Sequence, residues 1–282
     1  MTKAWILSHY QVTPLLKQRE AVGSIVSISP DLFISTLEGV ITSKGVETQQ
    51  YEILPWAVLQ EIASSPNNCF TLNNGTLKKI LIFSERTNST YSLYPTASAP
   101  TMLISGIPMH RIKDTTPDID TRQKIKAARP TGRVLDTATG LGYTAIASAK
   151  TADQVITVEL DPAAQQICHL NPWSQELFEN ARIEQRIGDS FDVIETIQDG
   201  SLNRIIHDPP TFSLAGHLYS RDFYREMYRV LKPGGRVFHY IGDPESKSGR
   251  RITAGAIQRL AQVGFKQIYR VPRAFGVVAV KR

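Results

Sequence analysis

Three carboxylates stand where short apolar runs end, the place at which a strand delivers a side chain to the edge of a sheet. Asp136 closes Val134-Leu135-Asp136, Glu159 closes Val155-Ile-Thr-Val-Glu159, and Asp189 follows Arg186-Ile-Gly188. Behind the first lies a loop with Thr139, Gly140 and Gly142, and then the helical run Tyr143-Thr-Ala-Ile146. Glycine in such a loop lets the backbone turn sharply and come close to a ligand, and the helix N-terminus adds its positive dipole end. A Gly-x-Gly after a strand says little alone, since glycine often merely starts a helix. Its continuation sharpens the reading: Glu159 lies 19 residues after Gly140, where a carboxylate can accept from both hydroxyls of a ribose. Asp189 can accept from an adenine amino group, the plain alternative being a turn or helix-capping aspartate. Together the three suggest an adenosine-containing ligand. A phosphate-rich one is not suggested, because Gly-x-x-x-x-Gly-Lys is absent.

A second constellation is Ile205-Ile-His207-Asp208-Pro209-Pro210-Thr211-Phe212. Consecutive prolines stiffen the backbone, so the Asp208 carboxylate and the Pro209 carbonyl can be held pointing into a site. The plain alternative is a proline-stiffened strand end with a capping aspartate. None of the six histidines falls in His-x-His or His-Glu-x-x-His spacing, and Cys69 and Cys168 form no CxxC, so no metal is expected. His239, near the end of a predicted strand, is a candidate for proton removal, with a packed or hydrogen-bonded histidine as the stronger reading. His110 is a candidate only by its position before the second half of the chain.

Elements that position these residues follow from the texture of the chain. From about residue 115, short apolar runs (Arg133–Asp136, Gln154–Val158, Arg204–His207, Arg236–Tyr240) alternate with longer stretches of helical spacing. Such alternation predicts a doubly wound parallel sheet with crossover helices. Residues 115–124 read as hinge and entry helix, and Phe265–Arg270 with Ala274–Val280 as a final antiparallel hairpin. Leu218–Gly235 reads as an amphipathic helix, with Phe223, Met227, Val230 and Leu231 on one face and Arg221, Arg225 and Arg229 on another, ended by Pro233-Gly-Gly235. Before residue 115 the chain is strand-rich: 23–29, 39–42, 79–83 and 102–104 are β-branched runs, punctuated by Ser29-Pro30-Asp31 and Asn73-Asn74-Gly75. One helix, Leu54 to Ser64, interrupts them, with Pro55 in its first turn. Two domains are expected, 1–114 for substrate recognition and 115–282 for catalysis.

On the glycine loop, the three strand-end acids and the Asp-Pro-Pro motif, residues 115–282 resemble a class I S-adenosylmethionine-dependent methyltransferase, an α/β fold with a mostly parallel seven-stranded sheet. That resemblance implies S-adenosylmethionine as cofactor, with Asp136 and the Thr139-Gly140-Leu-Gly142 loop at its methionine part, Glu159 at the ribose and Asp189 at the adenine. Ala138 stands where the family usually has its first glycine. More narrowly, the Gly140-Leu-Gly-Tyr-Thr-Ala loop and the strand-rich first half resemble an uncharacterised group of archaeal and cyanobacterial methyltransferases. In similar amino-methylating enzymes the Asp-Pro-Pro acceptors hold an exocyclic amine while an aromatic stacks on its base, which implies catalytic roles for Asp208, Pro209 and Phe212. Thr211 occupies the usual aromatic place, with Phe212 one position later. Asp-Pro-Pro-x-Phe also occurs in enzymes that methylate carbon. Those acting on carbon 5 of cytosine usually need a cysteine near this loop, and Cys69 and Cys168 are remote from it in sequence, which favours nitrogen. The Leu218–Gly235 stretch also resembles its counterpart in spermidine synthases, so a transferase acting on a small-molecule amine is a competitor. A regulatory fold without catalysis is a third reading, disfavoured by the joint presence of Glu159, Asp189 and Asp-Pro-Pro.

Composition bounds the partners. The 282 residues are 41% apolar with a formal net charge of +6, but residues 221–282 carry 14 Lys+Arg against 4 Asp+Glu. Such segregation points to a polyanion such as RNA, against the plain reading of a solvated basic face. Lys247, Arg250 and Arg251 are expected in a loop after the fifth strand, flanking the site. No run approaches the about 20 apolar residues of a membrane helix, mean hydropathy is -0.18, and the first residues show only a short apolar run from Ala4 to Leu7. A cytoplasmic protein with no membrane association is expected, and oligomeric state is not legible.

Overall fold

Asn74 and Gly75 adopt left-handed backbone (φ 50° and 72°) and so close a two-residue hairpin between Phe70–Asn73 and Thr76–Lys79. This is one of many antiparallel pairings in the first half of the chain. The computed structural model describes residues 4–210, 212–243 and 245–282, the side chains of 213 and 214 excepted. The chain divides into two compact units, one comprising Met1–Asp118 with Ala163–Gln175, the other Ile119–Pro162 with Glu176–Arg282. The sequence boundary at 114/115 thus differs from the structural one, and nothing in the local pattern marks 163–175 as joining the first unit. Within that unit, the Trp173 indole N–H donates to the Leu32 carbonyl at 2.8 Å.

The first unit holds three antiparallel sheets. Trp5–Leu7 pairs with Phe70–Asn73. Ile25–Ile28, Leu37–Ile41, Gly45–Glu47 and Leu54–Pro55 form a second sheet, and Leu81–Ser84, Ser89–Tyr94, Thr101–Ile104 and Ile107–Pro108 a third. Trp5, Leu7, Val12, Ile41, Leu59 and Phe70 are among its buried core. The single strand expected over 79–83 is two: Lys79 ends one sheet, Leu81 begins another, and between them Ile80 donates to the Cys69 carbonyl and accepts from the Leu93 amide. A helix the hydrophobic pattern did not reveal, His9–Leu16, follows Ser8, whose amide donates to the Gln11 side chain in a capping box. That Ser-x-x-Gln is the signal that could have found it. Pro55 is the N-cap of Trp56–Ala63, one place before the first-turn position expected.

In the second unit, whose strands alone are numbered here, β1 is Gly132–Asp136, β2 Ala152–Glu159, β3 Ile183–Ile187, β4 Leu202–His207, β5 Leu231–Tyr240, β6 Lys266–Val271 and β7 Gly276–Val280. They form one seven-stranded sheet in the order β3-β2-β1-β4-β5-β7-β6. The first four pairings are parallel and the two made by β7 antiparallel, so the final hairpin is as read from its spacing. Apolar runs such as Val155, Ile156 and Val158, or Ile205 and Ile206, are fully buried, as a sheet covered on both faces requires. Strand order reverses between β1 and β4. Since crossovers are right-handed, the helices on either side of that point lie on opposite faces, leaving a crevice at the carboxyl ends of β1 and β4.

Three helices frame that crevice: α1 (Pro117–Ala128), α2 (Tyr143–Ala149) and α3 (Arg221–Val230). Phe223, Tyr224, Met227 and Val230 bury the apolar face of α3. The helix ends at Val230, before the Pro233-Gly-Gly turn expected to stop it; that turn lies inside β5, in a bulge between its pairings at Leu231 and Arg236. A further helix, α4 (Lys247–Gln262), is capped by the Ser246 hydroxyl, which accepts from the Gly249 amide. Lys247, Arg250 and Arg251 therefore stand in its first turns, and the loop expected for them is shorter. No helix of the described residues is long and apolar enough to cross a membrane.

Candidate functional site

Each strand-end acid is held by the element that follows it. Asp136, the last residue of β1, is completely buried; its Oδ2 accepts from the hydroxyls of Thr144 on α2 (2.8 Å) and Thr157 on β2 (3.3 Å), while Oδ1 is buried without a hydrogen bond of normal geometry. Burial pushes this carboxyl up to about 7, against the pull of the Thr144 hydroxyl. Thr139 turns inward, its hydroxyl 2.7 Å from that of Thr157, so its side chain braces the loop. Gly142 caps α2 at φ 77°, and a Cβ there would meet the Leu177 side chain at 2.9 Å. Gly140 is different. Its φ is 52°, which favours glycine, and a Cβ on it would enter open space, so the loop backbone is not covered there by the described residues.

Glu159, at the end of β2, accepts from the Gly140 amide through Oε2 (2.9 Å) and from the Asp161 amide through Oε1 (3.2 Å). The Leu160 amide also bonds this carboxylate, whose two oxygens offer about four lone-pair sites in all and so can take a further donor. Burial pushes its carboxyl up to about 7, with the amides of Asp161 and Gly140 opposing. Asp189 caps the helix Ser190–Glu195 through Oδ1, which accepts from the Phe191 amide at 2.8 Å, while Oδ2 lies 3.1 Å from Nε2 of His217. The capping reading of Asp189 is therefore realised in the structure, with its second oxygen on the solvent side. A buried Asp136 oxygen without a hydrogen bond of normal geometry, the open backbone at Gly140 and the Glu159 carboxylate fit an adenosine ligand bearing a cationic or amino end.

Asp208 follows β4 and is held by a residue the sequence reading missed. Lys124 of α1, only 1% exposed, places Nζ 2.6 Å from Asp208 Oδ2 and 2.8 Å from Asp120 Oδ2. That ammonium lies 4.5 Å from the centre of the Tyr240 ring. Burial disfavours the charge on Lys124, but the Asp208 and Asp120 carboxylates outweigh it and hold the amine protonated above its ordinary range. Burial raises the Asp208 carboxyl, and Lys124 opposes that rise. Asp120 and Lys124 at i and i+4 of a helix were the one available signal. Pro209 is buried, and the Pro210 carbonyl accepts from the Tyr219 hydroxyl at 3.1 Å. Phe212, 49% exposed, meets the Tyr219 ring edge-on at 5.4 Å; Thr211 lies outside the described residues.

His239 does not face a ligand. It is completely buried, with Nε2 2.8 Å from the Tyr224 hydroxyl and Nδ1 3.3 Å from the His207 carbonyl. Burial, then its neighbour His207, holds it well below the ordinary imidazole range, so the packed reading applies. His207 is likewise buried between Thr137 and the Leu218 carbonyl, and burial lowers it to about 3. His110, in the first unit, lies 3.0 Å from the Thr101 hydroxyl.

Similarity to known proteins agrees with this geometry. Residues 118–267 match the methyltransferase small domain family. An uncharacterized protein of Methanocaldococcus jannaschii is 45% identical over 227 residues, covering 79% of this chain and 77% of that one. Two solved structures are similar in fold. Spermidine synthase from Thermotoga maritima has a TM-score of 0.55 at 18% identity, over 74% of this chain and 75% of that one. MNMC2 from Aquifex aeolicus has a TM-score of 0.51 at 18% identity, over 67% and 70%.

Proposed function

The chain belongs to the methyltransferase small domain family, and from that premise we propose that it methylates a nitrogen of an RNA nucleobase held at the Asp208-Pro209-Pro210 loop. S-adenosylmethionine is its cofactor and, when bound, supplies an electrophilic methyl group carried on a sulfonium. The residues that would hold it are Asp136 and the Gly140–Gly142 loop at the methionine part, Glu159 at the ribose and Asp189 at the adenine. Asp208 is the observation that carries the reading. It stands at the crevice where strand order reverses, one oxygen taken by Lys124 and the other left for an acceptor, with the exposed ring of Phe212 nearby. Asp208 Oδ1 accepts from the exocyclic amine, which turns the nitrogen lone pair towards the incoming methyl, and it can take the proton the amine gives up. This is catalysis by orientation.

RNA as the polyanion rests on the C-terminal charge, of which the structure reassigns a part. Arg229 pairs with Glu226 and Asp199 and donates to the Ile194 and Ile197 carbonyls, and Lys281 donates to the Tyr228 and Leu231 carbonyls. Arg225 pairs with Asp222. Lys247, Arg250 and Arg251 are exposed in the first turns of α4, with no acidic residue beside them in the first turn. Cations there oppose the helix dipole, a cost of about 0.3–1 kcal/mol each at low salt that a bound phosphate would offset. We assign the first unit to RNA recognition and the protein to the cytoplasm, where the buried thiols of Cys69 and Cys168 stay reduced.

Binding to RNA through phosphates should weaken steeply with salt. Replacing Lys247, Arg250 and Arg251 together by Ala should lower the logarithmic salt slope by about 0.7 for each phosphate of a single strand that these cations neutralise. Filter binding of total RNA across a salt series measures this. Undetectable binding by the unsubstituted protein at low salt would replace RNA by a small-molecule amine.

Affinity for S-adenosylmethionine should rise with pH. The ribose hydroxyls donate to the ionised Glu159 carboxylate, so binding favours the deprotonated form of a group pushed up to about 7 in the free protein. Between one unit below and one above that value the ionised fraction grows about tenfold, and affinity should follow by calorimetry. Glu159→Gln should flatten the profile. A slope unchanged in that variant would move the titration to Asp136, the other carboxyl pushed up to about 7.

A further inference from the structure

Lys124 is a fully buried cation joined to two carboxylates, and neither the family match nor the cofactor-side residues account for it. A lysine taken out of water costs several kcal/mol unless it is well paired, and ion pairs of this kind rarely gain stability over apolar packing of the same volume. Here the pairing is directed. Asp120, one turn earlier on α1, is itself completely buried and fixes the ammonium from one side. Asp208 lies on the other side, 84 positions away, on the loop after β4. The Tyr240 ring, at the end of β5, covers the cation. Nζ thus has two anionic acceptors and an aromatic face, each from a different element end, converging on the residue proposed to hold the acceptor amine.

We propose that Lys124, anchored by Asp120, is the positioning residue of the transferase site: it fixes Asp208 Oδ2 so that Oδ1 alone is presented to the acceptor. The inference rests on the assignment of Asp208 to the acceptor. Consecutive prolines restrain the backbone after Asp208 but leave its side-chain torsions free, and the Lys124 contact removes that freedom. A carboxylate held by one oxygen presents a single lone-pair direction to the amine, which is what orientation of the nitrogen requires. Asp120 acts in two senses. It anchors Lys124, and its negative charge opposes ionisation of Asp208. The other groups facing Asp208 are Asp136 from the end of β1 and Tyr219 from the turn Gly216–Tyr219, with Tyr240 acting through Lys124.

Removing the two members of the pair shifts Asp208 in opposite directions, as their charges require, and the positioning role adds a loss of turnover at unchanged cofactor affinity that a merely structural ion pair would not show. The test uses the full chain with carbon-13 in its aspartate carboxyls, the Asp208 resonance being identified by its loss in Asp208→Asn. In Asp120→Asn the Asp208 titration midpoint should move down, since a repelling carboxylate is gone and Lys124 remains. In Lys124→Met/Asp120→Asn, which removes one charge of each sign and leaves one buried carboxylate where Lys124→Met alone would leave two, the midpoint should move up. Turnover of the double variant on total RNA should fall about tenfold or more, while its dissociation constant for S-adenosylmethionine stays within a few-fold and reports that it is folded. An Asp208 midpoint that is the same in all three proteins, or a double variant that methylates RNA at the unsubstituted rate, would overturn the proposal. The carboxyl titration needs no acceptor, so absence of RNA methylation by the unsubstituted protein alongside the opposed shifts would count against the RNA reading and not against the hold of Lys124 on Asp208.

Discussion

Asp208→Asn is expected to lower turnover by about 100-fold or more at saturating cofactor, about 2.7 kcal/mol of transition-state stabilisation, with S-adenosylmethionine affinity within a few-fold of the unsubstituted protein. The substitution keeps the shape of the side chain and leaves Lys124 paired with Asp120. It removes the charged acceptor that orients the amine and the place to which its proton goes, both of which act after binding. Asparagine also offers an N–H towards the incoming amine, so the lone pair is no longer steered. Single-turnover transfer from radiolabelled S-adenosylmethionine to total RNA, with calorimetry for cofactor affinity, separates the two quantities. Poor cofactor binding together with normal turnover once saturated would assign Asp208 to the wrong half of the site.

Glu159→Ala should weaken S-adenosylmethionine binding by about tenfold or more. A hydrogen bond to a charged acceptor contributes roughly 1.5–3 kcal/mol, and two ribose hydroxyls lose theirs in a largely desolvated place. The same substitution frees the Gly140 and Asp161 amides, which now bond Glu159, so the glycine loop also loses its tie to β2. Its turnover at saturating cofactor should change little, because the carboxylate contacts the cofactor equally in ground and transition states. Unchanged affinity by calorimetry would remove Glu159 from the cofactor site. The opposed signatures of Asp208 and Glu159, one on turnover and one on binding, divide the crevice into an acceptor half and a cofactor half.

The alternation of apolar runs with helical spacing sufficed to find the central strands β1, β2, β4 and the second half of β5, because strands buried on both faces must be continuously apolar, and such runs stand out from amphipathic helices, whereas the edge strands β3 and β6 are largely polar. For the same reason Asp136, Glu159 and Asp208 were legible: a polar residue that ends an apolar strand stands at the carboxyl edge of the sheet, even where, as with Asp136, it is still fully buried. Short antiparallel strands in the first unit were harder. Ile80 is apolar and buried on both sides of a switch between sheets, so the run 79–83 carries no local mark of the break.

Tertiary structure decided what local pattern cannot hold. Lys124 lies on a polar-looking helix, and only the parallel pairing of β1 with β4 brings Asp208 to it. Arg229 reads as one of three surface cations on α3, yet its partners Asp199 and the Ile194 and Ile197 carbonyls come from the chain before β4. His239 sits one place from a strand end in the sequence, but the packing of α3 across β5 encloses it with Tyr224. Lys247, Arg250 and Arg251 turned from loop to helix because Ser246 caps a turn that Gly and Ser made look irregular. The sequence thus determined which residues reach the carboxyl ends of the strands, since burial and periodicity are local. Which of them meet was decided by strand order, because charge pairing acts through space between segments that periodicity treats as unrelated.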